Sequence, residues 1–198
     1  METLNHTLFL WLNAPAHPSP ALTALAIFLA EYLIWLAPAV IGLGWLRGDE
    51  AGRKAMLRAG VAGVLGVLFS QAIGLLWPHP RPFALGLGHA LISHVADASF
   101  PSDHLTLWWS LAFGLWWQPG YARTGALLAA LGVGMAWARI FVGVHFPLDM
   151  VGALAVAGLG ARLSLSASAR YLPAAYALAS RVHRSVFRPL IRLGWVRE

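Results

Sequence analysis

Three stretches of this sequence hold residues whose types and spacing suit phosphoryl transfer. Arg81 stands among prolines in His79-Pro80-Arg81-Pro82-Phe83. Phe100-Pro101-Ser102-Asp103-His104 opens an apolar segment. Arg139 is followed by His145 and Asp149. A guanidinium presents a planar fork of donors to phosphate oxygens. A helix starting at Ser102 would aim free backbone N–H groups and its positive dipole end at the same anion. Together these could hold a phosphoryl group and stabilise charge on its equatorial oxygens. A histidine can attack phosphorus when a carboxylate fixes its tautomer. Asp149 lies four residues after His145, across a Pro-containing turn, within reach for that role. A second histidine can protonate the leaving oxygen. His104 and His145 are the two candidates, and residue types alone leave open which one attacks. This chemistry calls for no cofactor and no metal. Two-metal phosphatase chemistry would want more carboxylates at the site.

The elements that position these residues are membrane spans. The composition is 59% hydrophobic and 11% charged, against about 25% charged in a soluble domain. Mean hydropathy is +0.65. An all-α, polytopic helical bundle of about five spans is expected. Residues 1–19 hold no Lys or Arg, and Leu4, Leu8, Phe9, Leu10 and Leu12 form a run too short to span. They predict an interfacial helix rather than a signal peptide, because the basic n-region is missing. The first span covers about 21–46, interrupted by Glu31, and the second about 59–77. Prolines at 78, 80 and 82 forbid helix there. Residues 78–101 form a polar excursion. A short third span runs from about 102 to 117, its start set in a recess. The fourth covers about 124–144 and the fifth about 148–165.

Residues 1–168 are therefore expected to form a membrane-embedded catalytic domain, and 169–198 a basic tail. In that tail Arg181, Arg184, Arg188 and Arg192 recur at helical spacing. They predict a basic amphipathic helix on an anionic membrane face. Apart from Arg81 and Arg139, every Lys and Arg falls on one side of a five-span topology. The positive-inside rule makes that side cytoplasmic. The three chemical stretches then face outward together. The net charge of +6 invites a nucleic-acid reading, but basic residues beside apolar spans argue against one. The sequence holds no cysteine, which excludes disulfides and thiolate metal sites. Nothing in it specifies an oligomeric state.

Arg81-Pro82, then Pro101-Ser102-Asp103-His104, then Arg139 with His145 and Asp149 resemble the three signature motifs of the type-2 phosphatidate phosphatase superfamily. The resemblance covers roughly residues 4–168. The wording HPRPF with FPSDH is most similar to the BcrC-type undecaprenyl-diphosphatases. That branch implies a polyprenyl diphosphate substrate at the outer face of the bacterial cytoplasmic membrane, in recycling of the cell-wall carrier lipid. The resemblance implies that His145 is the nucleophile, through a phosphohistidine, and Asp149 its orienter. It implies that His104 is the acid for the leaving group, and that Arg81, Arg139 and the Ser102–Asp103 region bind phosphate. Three positions depart from the pattern. Gly74 stands where the family has Lys, Asp103 where it has Gly, and Ala138 where it has Ser. His79 and Gln71 are candidate substitutes for that Lys.

Glu31 lies ten residues into the first span, about 15 Å along its axis. A carboxyl there faces the bundle interior or water and is a candidate for substrate positioning. His94 and Asp97 read as loop residues. Trp108, Trp109, Trp116 and Trp117 read as an interfacial belt. Rival readings keep the chemistry on phosphatidylglycerol phosphate, phosphatidate or lipid A, or replace it with a lipid or ion transporter. A transporter needs the arginines but not an oriented histidine.

Overall fold

The computed structural model describes residues 2–197. Helix α1 (Glu2–Leu12) precedes α2 (Pro20–Ile27), α3 (Leu36–Arg47), α4 (Glu50–Leu76), α5 (Asp103–Trp116), α6 (Ala122–Phe141), α7 (Pro147–Val186) and α8 (Arg188–Arg192). Among the described residues, four segments are long and apolar enough to cross a membrane: 20–47, 50–76, 122–141 and 147–186. The chain is a multi-pass, all-helical membrane protein.

The third expected span is α5. Its 14 residues reach about 21 Å, short of a hydrocarbon core of about 30 Å. It is the central helix, packed on α4, α6 and α7. A stripe of small residues on α4, Ala55, Ala59, Ala62, Gly63, Gly66 and Ser70, is buried. Small side chains let helices approach closely in lipid. A methyl group added at Gly66 would fall 2.2 Å from Ser110 Oγ of α5. Trp108 and Trp109 are not part of a belt. Both are buried, and their indole N–H groups donate to the α6 carbonyls of Leu128 (2.6 Å) and Ala129 (3.2 Å). Central placement overrides the interfacial preference of Trp, because each polar handle finds a buried acceptor. Trp116 and Trp117 remain about half exposed.

The first span is not one regular helix. A π-turn (Phe28–Tyr32) and a 3₁₀ turn (Leu33–Trp35) separate α2 from α3. Pro38 has no N–H for the Ile34 carbonyl, which disfavours regular helix there. The π-turn contains Glu31, and such turns recur at functional sites.

Helix α7 has no break at residue 168. Its 40 residues contain Pro173, and an interior proline removes one backbone hydrogen bond and bends a helix. Its second half meets the α3–α4 corner, at the end of the bundle away from the chemical stretches. His183 is buried there. Trp45 Nε1 donates to His183 Nδ1 (3.1 Å), and Arg53 Nη2 lies 3.2 Å from His183 Nε2. Arg53 is also buried; it donates to the carbonyls of Trp45 (3.1 Å) and Arg197 (2.7 Å). Arg53→Ala leaves these carbonyls without their donor. It is expected to cost about 2 kcal/mol, read as a lower Tm in detergent with the active-site motifs untouched.

Candidate active site

Loop 78–101, the start of α5 and the turn between α6 and α7 meet at one end of the bundle. Helix α1 holds them from outside. Asn5 Oδ1 accepts from Leu148 N–H at the start of α7 (3.1 Å), and Phe9 packs edge-on against Phe146. Asn13 ties the loop to α6: its Nδ2 donates to the Phe141 (2.9 Å) and His89 (3.0 Å) carbonyls, and its Oδ1 accepts from His89 N–H (2.7 Å). The intervening Gly143 has φ +85°, and a side chain there would strike the His89 carbonyl.

His145 and Asp149 lie across the start of α7, where Phe146 is the N-cap and Pro147 the first helical residue. Pro fits that position because its missing N–H has no intrahelical partner. The cap turns Asp149 back onto the preceding turn. Its Oδ2 accepts from Phe146 N–H (2.8 Å) and Ser99 Oγ (2.5 Å), and lies 3.1 Å from His145 Nδ1. Both Asp149 and His145 are buried.

The tautomer of His145 follows from its neighbours. Arg81 Nη1 lies 3.0 Å from His145 Nε2, and a guanidinium only donates. Nε2 therefore carries the lone pair and Nδ1 the proton, directed at Asp149. That is the form an attacking imidazole requires. Burial, with Arg139 and Arg81 close by, holds the ring well below the ordinary histidine pKa of 6.5, so it is neutral at physiological pH.

Arg81 is the N-cap of the 3₁₀ turn Pro82–Leu85. It also donates to Val144 O (2.9 Å) and to Asp97 Oδ1 (2.7 Å). Arg139, in the last turn of α6, is fully buried. It donates to Ala30 O (3.0 Å), pairs with Glu31 Oε1 (3.4 Å) and lies 3.2 Å from His94 Nε2. Among the described residues, Arg139 Nε and Ser102 Oγ are buried donors without acceptors. Buried donors are normally satisfied, and oxygens of a bound phosphate would satisfy these two. Ser102 is the N-cap of α5, so backbone N–H groups of the first turn stand beside it. His104, in the same turn, lies within electrostatic range of Arg139, His94 and Arg81.

The structure thus brings together Arg81, Ser102, His104, Arg139, His145, Asp149 and Glu31. Asp103 goes elsewhere: its carboxylate accepts from Ser70 Oγ and Gln71 Nε2 on α4, both at 2.5 Å. These bonds answer the cost of a carboxylate near an anion site, and they occupy Gln71. His79 is occupied too, stacked between Trp77 and Phe146. Neither takes the role of the family Lys. A Cβ at Gly74 would meet Ala98 Cβ at 3.2 Å, and Gly74 lines a cavity beside Asp97 and Asp103.

Sequence reasoning passed over Ser99 and read His94 and Asp97 as loop residues, whereas both contact the site's arginines. Ser99 is a buried hydroxyl bonded to Asp149 and 3.3 Å from His145 Nδ1. Its only sequence signal is its place just before Phe100-Pro101. Asp149→Asn keeps the volume but puts the tautomer of His145 at risk. It is expected to lower turnover about 10³-fold, measured as phosphate release, with Ser99→Ala milder.

A buried, oriented histidine among guanidiniums in a membrane bundle fits one class, the integral-membrane phosphatases. A model of the PAP2 superfamily matches residues 55–173, and the chain belongs to that superfamily. It is 37% identical, over the full length of both chains, to the putative undecaprenyl-diphosphatase YbjG of Escherichia coli. It is 35% identical to the undecaprenyl-diphosphatase BcrC of Bacillus subtilis, over 78% of this chain and 79% of that one. Its fold is that of Aquifex aeolicus LpxE, with TM-score 0.68 and 23% identity over 82% of this chain and 95% of that chain. It also resembles a PAP2-type phosphatidylglycerolphosphate phosphatase from Bacillus subtilis, with TM-score 0.54 and 18% identity over 83% and 84% of the two chains.

Proposed function

We propose that this protein removes the terminal phosphate of undecaprenyl diphosphate, leaving undecaprenyl phosphate for reuse as the cell-wall carrier lipid. The observation that carries the chemistry is the arrangement at His145: lone pair on Nε2, proton on Nδ1 toward Asp149, two guanidiniums beside it. The substrate rests on relatives named as undecaprenyl-diphosphatases, one of them matching over the whole chain.

In this reading Arg81, Arg139 and Ser102 take the oxygens of the terminal phosphate, and Arg81 releases Nε2. His145 Nε2 attacks phosphorus as the bond to the bridging oxygen breaks. His104 protonates that oxygen. A phosphohistidine results. His104, now a base, takes a proton from water, which attacks phosphorus and frees His145 and inorganic phosphate. Asp149 holds the ring throughout and stabilises its positive charge. Guanidiniums and helix N–H groups carry the developing charge, so the steps run without metal. Glu31 limits the motion of Arg139 from the π-turn.

The positive-inside pattern supports a site on the outer face of the bacterial cytoplasmic membrane, with the tail 169–198 cytoplasmic. Exposed Arg181, Arg184, Arg188 and Arg192 then meet the anionic leaflet. A transporter reading leaves the His145–Asp149–Ser99 bonding without purpose.

The test is phosphate release by purified protein in detergent, with EDTA, from undecaprenyl diphosphate, phosphatidylglycerol phosphate and phosphatidate. The expected result is a strong preference for the diphosphate, unchanged by EDTA. Equal rates on all three would remove the substrate assignment, and loss of activity restored by a divalent ion would remove the metal-free mechanism.

A further inference from the structure

His94 faces the two active-site arginines. Its Nε2, 3.2 Å from Arg139 Nη2, must accept, because a guanidinium has no acceptor. Its Nδ1 then carries the proton and donates to the Val95 carbonyl at 3.0 Å. The ring stands 6.5 Å, centroid to centroid, from that of His145. Three residues on, Asp97 holds Arg81. One stretch of loop therefore clasps both guanidiniums.

A diphosphate ester presents two phosphates. The terminal one fits against His145 Nε2, with Arg81, Arg139 and Ser102. The second lies beyond the bridging oxygen, on the side of phosphorus away from Nε2. Toward α4 lies a cavity of about 200 Å³ lined by Gln71, Gly74, Asp97 and Asp103, with no basic side chain on its wall. No Lys stands at Gly74. His79 is stacked between aromatic rings, and His89 is exposed, with its backbone tied to Asn13. His94 is the remaining basic side chain of the loop.

We propose that His94 forms a subsite for the second, lipid-attached phosphate of a diphosphate substrate. This rests on the phosphatase reading above and deepens it. When phosphate oxygens take Arg139 Nη2, His94 Nε2 is released from that bond. It takes a proton from solvent and donates to the second phosphate. The charged and titratable groups around it are Arg81, Arg139, Asp97, His104 and His145. Without phosphate, burial and the two guanidiniums favour the neutral ring; a phosphate against it reverses the balance.

The test is calorimetric binding of inorganic pyrophosphate and inorganic phosphate to the purified full chain, as wild type, His94→Ala and His94→Lys. Wild type is expected to bind pyrophosphate more tightly than phosphate. His94→Ala should weaken pyrophosphate about tenfold or more, the weight of one charged hydrogen bond. It should change phosphate less than about twofold, and His94→Lys should restore most of the loss. Equal weakening of both anions would show that His94 acts only by positioning Arg139, and would overturn the subsite. So would unchanged binding of both, or no preference in wild type. Turnover of undecaprenyl diphosphate by the same wild-type preparation is scored separately. Its absence would count against the proposed substrate while the anion series still decides the subsite.

Discussion

His145→Ala is expected to lower phosphate release at least about 10⁴-fold, the scale seen when a nucleophile is removed from a preorganised site. The protein should stay folded. The ring is buried, but its bonds are to Arg81, Asp149 and Ser99, which can bond to one another or to water in the space left. The loss should fall in kcat, since the arginines and the α5 N-terminus still bind phosphate. Single-turnover rates and substrate Kd in the variant check this. A variant that keeps turnover within tenfold of wild type would remove His145 as nucleophile. His145→Gln separates packing from chemistry, because its amide fills much of the same space and cannot form a stable phosphoryl intermediate.

Arg139→Ala is the second large effect, expected at about 10³-fold or more, by analogy with guanidiniums that stabilise phosphoryl transition states. Two losses add. The phosphate loses a buried donor, including the unpartnered Nε. Glu31 loses its cationic partner, with a side chain still 40% exposed, and becomes a negative charge beside the substrate. Arg139→Lys should recover only part, because a point charge replaces a planar fork and cannot hold Ala30 O, Glu31 and phosphate together. Adding Glu31→Gln to Arg139→Ala should regain part of the rate by removing that charge. This coupling distinguishes an active-site pair from two independent residues. Rates of the two single variants and the double variant complete the cycle, and strict additivity would contradict the pairing.

The residues that carry charge in an apolar setting were legible before the fold was known. Arg81, Arg139, Glu31 and Asp149 stand out because burying a charge near lipid is costly without a partner. The fixed spacing of His145 and Asp149 then fits a capped helix start. The bundle was legible from its apolar stretches. What stayed hidden depends on the path of loop 78–101. His94 and Asp97 lie in a segment rich in Gly, His and Pro with no periodicity, and only its folding back places them on the arginines. Ser99 is one small hydroxyl whose role appears when Asp149 is set beside it. Trp108 and Trp109 carry the composition of an interfacial belt, and only the central position of α5 turns them inward. The π-turn at Glu31 was legible as a polar interruption, not as a change of helical pitch. Asp103 was read with the phosphate ligands on its place in the motif, whereas Ser70 and Gln71, one turn of α4 away from any motif, hold its carboxylate.

The central claim is a covalent intermediate on His145, and it can be observed directly. Undecaprenyl diphosphate labelled with ³²P at its terminal phosphate is mixed with the protein in detergent, quenched in alkali within milliseconds, and the protein is digested for peptide mapping. The account predicts label on one peptide containing His145, stable in alkali, lost in acid, and absent from His145→Ala. Label on a peptide containing His104, or no labelled protein while phosphate is still released from wild type, would contradict it.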